Sequence, residues 1–161
     1  MNVTINTDAS FSKKHKRGSF AIWIVSNMGT VRKSGMLRTT TAEPWHAEMK
    51  AIVNALALLD KQKWIGIRKI FINTDCLNAI HCFTNDAENI QRWGLNRKSS
   101  KKIRAQYAEV AKHFSHAEID FRHVKAHTNT KDQRTWVNSW CDQMAKEHIS
   151  EFRRKMREVG K

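Results

Sequence analysis

Two segments of the chain end in the same four residues, Ile-Asn-Thr-Asp, and both therefore end in a carboxylate. One segment, TINTD, ends at Asp8, and the other, FINTD, ends at Asp75. In an open α/β sheet the working site lies outside the carboxyl ends of the strands, and neighbouring strands lie only about 4.8 Å apart. If the two segments are parallel neighbours, the two carboxylates meet and repel unless a shared proton or a cation separates them. We therefore expect a hard divalent cation with oxygen ligands, with separate helix or turn caps as the alternative.

A third carboxylate, Glu48, lies on an apolar stripe of a predicted helix. Ala51, Ile52, Ala55 and Leu59 continue that stripe. A carboxylate that faces the protein body is costly unless it is paired or bound to a metal. An acid near a helix N-terminus also interacts favourably with the helix dipole, which is the alternative interpretation. The helix pattern alone leaves both interpretations open.

The last predicted helix carries Asp142, on one stripe with Asn138, Ala145 and Ile149. The expected core face is a line of larger residues: Trp136, Trp140 and Met144. Asp142 flanks that face, as a site residue at the edge of a core does. From its position alone, a solvated charge at the border is the simpler interpretation.

A polar loop after the last predicted strand contains His127, in the segment HVKAHTNT. A loop histidine can transfer protons near a site, because its pKa lies close to neutral pH. A surface histidine without a role is the alternative, and His123 is a rival candidate in the same segment.

Composition favours a folded protein with a polyanionic partner. The 161 residues are 40% hydrophobic and carry a formal net charge of +14, which favours nucleic acid as the partner. We expect one domain over residues 1–150, followed by a basic helix extension or tail over 151–161. The three cysteines lack metal-site spacing. No apolar run reaches the ~18 residues of a membrane span, and the N-terminus lacks a signal pattern, so we expect a cytoplasmic protein without membrane association.

Hydrophobic periodicity predicts the order βββαβα(α)αβα. The predicted strands cover 2–7, 18–26, 30–37, 68–74 and 118–124. The predicted helices begin after the caps Thr40 and Thr41, cover a weakly apolar region at 76–92, include 103–114, and end with 134–157. We expect an α/β fold: a five-stranded mixed sheet with three antiparallel strands, then two parallel ones, and helices on both faces.

Five short motifs occur in an order that resembles the type 1 ribonuclease H family. They are TDAS at 7–10, HAEMKAIVNAL at 46–56, NTDCLNAI at 73–80, HVKAH at 123–127 and NSWCDQMAK at 138–146. Each motif is weak alone, but together they cover the chain from Asn2 to about Glu147. The resemblance implies the ribonuclease H-like fold and an endoribonuclease that cuts the RNA strand of RNA–DNA hybrids.

The resemblance also implies roles for the candidate residues in a two-metal mechanism. Two Mg²⁺ ions, for which Mn²⁺ can substitute, would be bridged by Asp8. Asp142 would help hold the ion that activates water, and Glu48 and Asp75 would help hold the ion near the leaving oxygen. His127 would assist product exchange and proton transfer. The products would carry 5′-phosphate and 3′-hydroxyl ends.

A basic run resembles the protrusion with which this family grips the DNA strand. Its residues, here called the basic handle, are Trp93, Arg97, Lys98, Lys101 and Lys102. Such contacts with phosphate add salt-sensitive affinity without reading the base sequence. A solvated charged loop is the alternative.

The chain departs from the family pattern at positions that choose the substrate. Ala9 replaces a usual glycine, and Leu77 replaces a glutamine beside Asn78. The loop before Glu48, which usually carries asparagine, reads Thr41-Ala42-Glu43-Pro44-Trp45-His46 here. We include Trp45, Asn78 and Asn138 among the expected nucleic-acid contacts of a monomer. A protein distinguishes RNA from DNA through the 2′-hydroxyl, so departures at these positions leave the substrate open. One alternative is a structure-selective DNA nuclease resembling junction resolvases. The other is an inactive nucleic-acid-binding module.

Overall fold

The computed structural model describes residues 1–124 and 133–160, and it describes the side chains of the last helix from Trp136 onward. Its strands are β1 (Asn2–Ser12), β2 (Arg17–Ser26), β3 (Gly29–Met36), β4 (Lys69–Thr74) and β5 (Glu118–His123). Its helices are α1 (Pro44–Lys61), α2 (Leu77–Phe83), α3 (Ala87–Arg92), α4 (Lys98–Ala111) and α5 (Gln133–Val159), with a 3-10 turn at Lys112–Phe114.

The five strands form one mixed sheet in the order β3-β2-β1-β4-β5. β1, β2 and β3 pair antiparallel, whereas β4 pairs parallel with both β1 and β5. The predicted architecture of three antiparallel strands and two parallel ones is confirmed. The crossover from β3 to β4 through α1 places β4 beside β1, which brings together the two segments that end in Asp8 and Asp75.

Alternation along β2 explains why helices cover both faces of the sheet. Phe20, Ile22 and Ile24 pack into the larger core with α1, whereas Ala21 and Trp23 form a second cluster with α5. Side chains of a strand alternate between faces, so one strand serves both layers. The prediction of helices on both faces is therefore confirmed.

The face that α5 buries differs from the one expected from sequence. Val137, Cys141, Ala145 and Ile149 are buried, whereas Trp136 is 58% exposed and Trp140 and Met144 are only half-buried. The smaller residues let the helix approach the sheet closely enough for the Ser19 hydroxyl to donate a hydrogen bond to the carbonyl of Ala145. The predicted core face of Trp136, Trp140 and Met144 was wrong.

Several element boundaries also differ from the sequence-based expectation. The helix expected over 103–114 begins at Lys98 and ends at Ala111. β1 continues through Asp8 to Ser12 because its pairing with β2 extends to Ser12–Arg17. α1 begins at Pro44 with Glu43 at the N-cap position, not at the threonines. The region at 76–92 splits into two short helices at Asn85, whose φ is +55°, and Asp86, whose carboxylate caps α3 through the amide of Asn89 at 3.2 Å.

The last helix extends through most of the basic C-terminal segment, to Val159. Within the described ranges, no helix is both long enough and apolar enough to cross a membrane.

Candidate active site

The first pair of candidate residues lies where β1 and β4 separate. The register pairs Asn6 with Asn73, and both aspartates follow two residues farther along. Asp8 still belongs to β1 and lies opposite Ala21 of β2, whereas Asp75 comes just after β4. The two carboxylates therefore lie at the same edge of the sheet, although Asp8 lies within a strand and does not follow its end.

α1 brings Glu48 to the same edge. Pro44 occupies the first turn, where its fixed φ suits a helix start, and Glu48 comes one turn later. Ala51, Ile52 and Ala55 on its stripe are fully buried, so the expected apolar stripe is confirmed. One carboxylate oxygen each from Asp8, Glu48 and Asp75 lies within 4.8 Å of the others, and we call these residues the three-carboxylate cluster.

Burial and mutual repulsion make the charged forms of the cluster costly. Burial, followed by the charge of Asp75, raises the pKa of Asp8 from 3.8 to about 7. A hydrogen bond of 2.9 Å from the Ala9 amide opposes this rise in pKa. Burial, the neighbouring aspartates and a hydrogen bond with Asp8 raise the pKa of Glu48 well above its usual value. Asp8 and Glu48 are therefore unfavourable as charged groups beside the charge of Asp75.

The donor set fits a divalent cation with a preference for oxygen ligands. Oε2 of Glu48 is buried and has no hydrogen-bond partner among the described residues. Three carboxylates within 4.8 Å of one another supply oxygen ligands of the kind that Mg²⁺, Mn²⁺ and Ca²⁺ use. A bound cation would relieve the repulsion that raises the pKa values of Asp8 and Glu48.

The fourth candidate, Asp142, lies beside the cluster on α5. Its carboxylate accepts a hydrogen bond of 2.9 Å from the ammonium of Lys146, one turn farther along the helix. The charge of Asp142 also contributes to the raised pKa of Asp8. Asp142 thus acts electrostatically on the cluster without belonging to the group of oxygens within 4.8 Å.

The candidate histidines have different outcomes. His127 lies outside the described residues, so its role stays a prediction. His123 is the last residue of β5, and its Nε2 lies 3.2 Å from the carbonyl oxygen of Asp75. A ring N–H at this position donates a hydrogen bond to the carbonyl oxygen, which supports the segment that presents Asp75.

The basic handle lies around the start of α4. Trp93 ends α3 and is 61% exposed, and Gly94 follows with a φ of +63° that reverses the chain. The four basic residues of the handle are all exposed: Arg97, Lys98, Lys101 and Lys102. Arg97 also approaches Glu43 at 3.5 Å, which connects the handle to the segment before α1.

The three other expected nucleic-acid contacts are half-buried residues of three different helices. Trp45 packs on His46 with ring centroids 3.9 Å apart, so part of its surface is used within the protein. Asn78 lies in the first turn of α2, shortly after Asp75, and Asn138 lies one turn before Asp142. The structure brings all three to elements that carry a candidate carboxylate or follow one.

Sequence patterns alone did not single out two residues that shape the site. Asn73 donates a buried hydrogen bond of 2.9 Å to Oδ1 of Asn6, between the strands that carry Asp75 and Asp8. The repeated Ile-Asn-Thr-Asp ending carries the signal for this bond, because parallel neighbours in register also bring the two asparagines together. His46 is 1% exposed, and neither ring nitrogen has a partner among the described residues.

Comparison with protein families matches residues 1–150 to the RNase H family. A "Probable ribonuclease H" of Acanthamoeba polyphaga mimivirus is 27% identical over 100 residues, which cover 61% of this chain and 44% of the viral protein. The match thus spans less than half the length of that relative.

Solved structures share the fold. RNase H1 from Halobacterium salinarum has a TM-score of 0.70 at 17% identity, with 94% of this chain and 99% of that chain covered. The N-terminal RNase H domain of a Mycobacterium tuberculosis protein has a TM-score of 0.72 at 13% identity, with 96% and 98% covered. LC11-RNase H1 in complex with an RNA/DNA hybrid has a TM-score of 0.64 at 17% identity, with 92% and 97% covered.

Proposed function

Since the chain belongs to the ribonuclease H family, we propose that it is a metal-dependent endonuclease that hydrolyses the RNA strand of RNA–DNA hybrids. The observation that carries this proposal is the convergence of Asp8, Glu48 and Asp75 within 4.8 Å at the edge of the family's sheet. A pure binding module gains nothing from acids that face a phosphodiester, because like charges repel.

The proposed cofactor is Mg²⁺, in two ions, with Mn²⁺ as a substitute. Asp8, Glu48 and Asp75 would hold it together with Asp142. When bound, the ions would lower the pKa of a water molecule, which could then act as the nucleophile, and would neutralise the charge that develops on the phosphate. Glu48 in α1, whose Oε2 is buried, fixes one side of the cluster, and the paired strands fix the other. Products with 5′-phosphate and 3′-hydroxyl ends follow from the family resemblance.

Substrate binding is assigned to the basic handle and to three half-buried residues. Trp93 offers an exposed aromatic face, and Arg97, Lys98 and Lys101 offer charges for the DNA strand. The likeness in fold to LC11-RNase H1, whose structure contains an RNA/DNA hybrid, supports a hybrid as the substrate. We propose that Trp45, Asn78 and Asn138 also contact the nucleic acid. We further propose that the protein is monomeric and cytoplasmic.

His127 is proposed to transfer protons or assist product exchange. Its rival His123 contacts the carbonyl of Asp75 and is better suited to support than to chemistry. We expect His127→Ala to lower kcat about 100-fold with little effect on KM, as loss of a general acid or base does. A larger loss of kcat in His123→Ala than in His127→Ala would reverse the assignment.

Cleavage assays with defined substrates test the proposal. The protein is incubated with Mg²⁺ and an RNA–DNA hybrid, duplex RNA, duplex DNA or branched DNA of the same sequence. We expect cleavage of the RNA strand of the hybrid, loss of cleavage on chelation, and loss in Asp75→Asn. Asp120→Asn, on β5, is the matched control and retains activity. Failure to cut the hybrid, or cleavage of branched DNA alone, would overturn the proposed substrate.

A further inference from the structure

Three tryptophans and an arginine meet where α5 packs on β2 and β3, on the face of the sheet opposite α1. The rings of Trp136 and Trp140 lie edge-on to Trp23 of β2, with centroids 5.0 and 5.1 Å from its centroid. The guanidinium of Arg32 on β3 lies 4.8 Å from the ring centroid of Trp23 and 5.8 Å from that of Trp140. We call these four residues the tryptophan patch.

Trp136 is more exposed than the packing of α5 on the sheet explains. Val137, Cys141 and Ala145 are buried and already close the contact between this helix and the sheet, whereas Trp136 is 58% exposed. The edge contact with Trp23 holds the exposed ring in place, so a ligand that stacks on it pays little conformational entropy. The ring is therefore better placed for binding than for packing.

Arg32 keeps its charge available at the edge of the patch. It is exposed, and it forms no ion pair with an acid in the described ranges. Its contacts with Trp23 and Trp140 are of the cation–π kind, which orient the guanidinium without neutralising it. The guanidinium can therefore contact a phosphate while it rests on the two rings.

The elements around the patch favour an anionic ligand. No Asp or Glu occurs from residue 9 to residue 42, a range that includes β2 and β3. Residues four apart share one side of a helix, and the α5 row that includes the patch also lacks acids: Trp136, Trp140, Met144, His148 and Phe152. Glu147 and Glu151 belong to the adjacent, exposed row, where Gln143 donates a hydrogen bond to Glu147 and Lys155 pairs with Glu151.

We propose that the tryptophan patch binds single-stranded nucleic acid, with a base stacked on Trp136 and a phosphate at Arg32. Aromatic rings beside cations bind single strands with little sequence preference, because every base offers a face for stacking. A duplex offers such faces only at its ends, so the patch favours a strand that is unpaired.

This inference goes beyond the proposed function, because the patch and the cleavage site lie on opposite flanks of α5. Trp140 contacts residues of β2 and β3, whereas the charge of Asp142 acts on Asp8 of β1. A strand on the patch is therefore bound beside the phosphodiester that is cut and is not itself positioned for cleavage.

Equilibrium binding of a fluorescently labelled oligo(dT) of about 12 nucleotides, with a chelator present, tests this proposal. The patch variant is Trp136→Ala with Arg32→Gln. The matched control, Ile65→Ala with Arg68→Gln, removes an exposed apolar side chain and an exposed arginine just before β4. Thermal unfolding verifies that both variants are folded.

We expect the patch variant to bind oligo(dT) about tenfold or more weakly, with the control unchanged. The slope of log K against log salt should fall by about 0.7, as for the loss of one phosphate contact with a single strand. Binding and cleavage of a blunt RNA–DNA hybrid should stay at the wild-type level in the patch variant. Unchanged binding of oligo(dT), or an equal loss for oligo(dT) and the hybrid, would overturn the proposal.

Two single changes separate stacking from simple apolar contact. Trp136→Phe keeps an aromatic face and should retain more affinity for oligo(dT) than Trp136→Leu, which keeps only apolar volume. Equal affinities of these two variants would contradict a stacked base. Self-association of the wild type that is lost in the patch variant, without binding of oligo(dT), would instead assign the patch to a second copy of the chain.

The outcomes for the patch and for the nuclease are distinguishable. A protein that binds oligo(dT) through Trp136 and Arg32 but does not cut the hybrid would retain the patch and lose the proposed function. A protein that cuts the hybrid but binds oligo(dT) equally well with and without the patch would retain the nuclease and lose this inference.

Discussion

The side-chain amide of Asn73 donates a hydrogen bond of 2.9 Å to Oδ1 of Asn6 across the parallel pair β1 and β4. Both side chains are buried, and the two residues are register partners. Asp8 and Asp75 follow them by two residues each. The bond therefore links the two strands at the last pair of their register, two residues before each aspartate. We regard Asn6 and Asn73 as positioning residues for the three-carboxylate cluster.

Asn73→Ala is expected to destabilise the protein and misplace Asp75. Removing one partner leaves Oδ1 of Asn6 buried without its donor, which costs about 1–3 kcal/mol of the free energy of unfolding. Because Asp75 follows so closely, more Mg²⁺ is expected to be needed for half-maximal cleavage. Chemical denaturation and a Mg²⁺ titration measure the two effects.

A double-mutant cycle isolates the asparagine pair. Asn6→Ala with Asn73→Ala should cost less than the sum of the single changes, with a coupling of about 1 kcal/mol. Asn2→Ala, at an exposed position of the same strand, is the control and should change stability by less than about 0.5 kcal/mol. Simple additivity of the two single changes would contradict a direct role for the bond.

Asp8→Asn is expected to stabilise the metal-free protein at neutral pH while abolishing cleavage. Burial and the charge of Asp75 raise the pKa of Asp8 from 3.8 to about 7 in the folded state. Between about pH 4 and pH 7, the unfolded chain releases a proton that the folded protein retains, so stability falls as pH rises through this window. The change from 3.8 to about 7 corresponds to about 4 kcal/mol at most.

Denaturation with a chelator present, at pH 4 and at pH 8, measures the effect of Asp8→Asn. In the presence of the chelator, the stability gained by the variant should be small at pH 4 and larger at pH 8. In a separate measurement with Mg²⁺ and no chelator, the difference in stability between variant and wild type should be smaller, because Mg²⁺ stabilises the wild type. The control is Asp120→Asn on β5, 4.0 Å from Lys69, which should change stability by about 0.5 kcal/mol or less. A gain that is the same at both pH values would show that ionisation of Asp8 is not its cause.

Trp93→Ala is expected to weaken hybrid binding without changing stability. The side chain is 61% exposed at the end of α3, so its removal should change the free energy of unfolding by less than about 0.5 kcal/mol. Stacking of an aromatic ring on a base or sugar contributes about 1–3 kcal/mol, so KM should rise about tenfold or more. Ile65→Ala, which removes an apolar side chain that is 86% exposed, is the matched control and should leave KM unchanged.

Local patterns predicted Asp8 and Asp75 as a pair, and the family resemblance joined Glu48 to them. The repeated Ile-Asn-Thr-Asp ending identified Asp8 and Asp75 because parallel neighbours bring equal positions together. The apolar stripe made Glu48 a candidate, but it did not decide between a metal ligand and an acid that favours the helix N-terminus. The asparagines of the same repeat were missed, since a hydrogen bond between strands depends on register, which a single segment does not specify.

The last helix shows where sequence patterns are insufficient. Tryptophan has the largest side chain with an apolar surface, so Trp136 and Trp140 predict the core face from sequence. Packing favours the smaller Cys141 and Ala145 instead, because α5 lies close enough to the sheet for Ser19 to bond its backbone. The tryptophans flank that contact, with Trp136 and Trp140 edge-on to Trp23 at 5.0 and 5.1 Å. The distance between two layers is a tertiary property that periodicity does not contain.

Lys146→Gln is expected to lower the Mg²⁺ concentration needed for half-maximal cleavage. The ammonium of Lys146 lies 2.9 Å from Asp142, and its pKa is raised by the hydrogen bond to Asp142, by the charge of that residue and, least, by the charge of Asp8. Because the charges of Asp142 and Asp8 attract this ammonium, it competes with a divalent ion for the same carboxylates. Because the pair is partly exposed, the effect is modest, about two- to fivefold, and should shrink at high salt.

Lys155→Gln is the matched control for this change in metal requirement. Its ammonium lies 3.3 Å from Glu151 in the same i, i+4 arrangement, farther along α5. The control should have the wild-type Mg²⁺ requirement, because its ion pair lies several turns away from Asp142. A lower requirement in Lys146→Gln alone would show that Asp142 and the three-carboxylate cluster act on the same bound ions. Equal requirements in Lys146→Gln and the wild type would instead separate Asp142 from the cluster and limit the metal site to Asp8, Glu48 and Asp75.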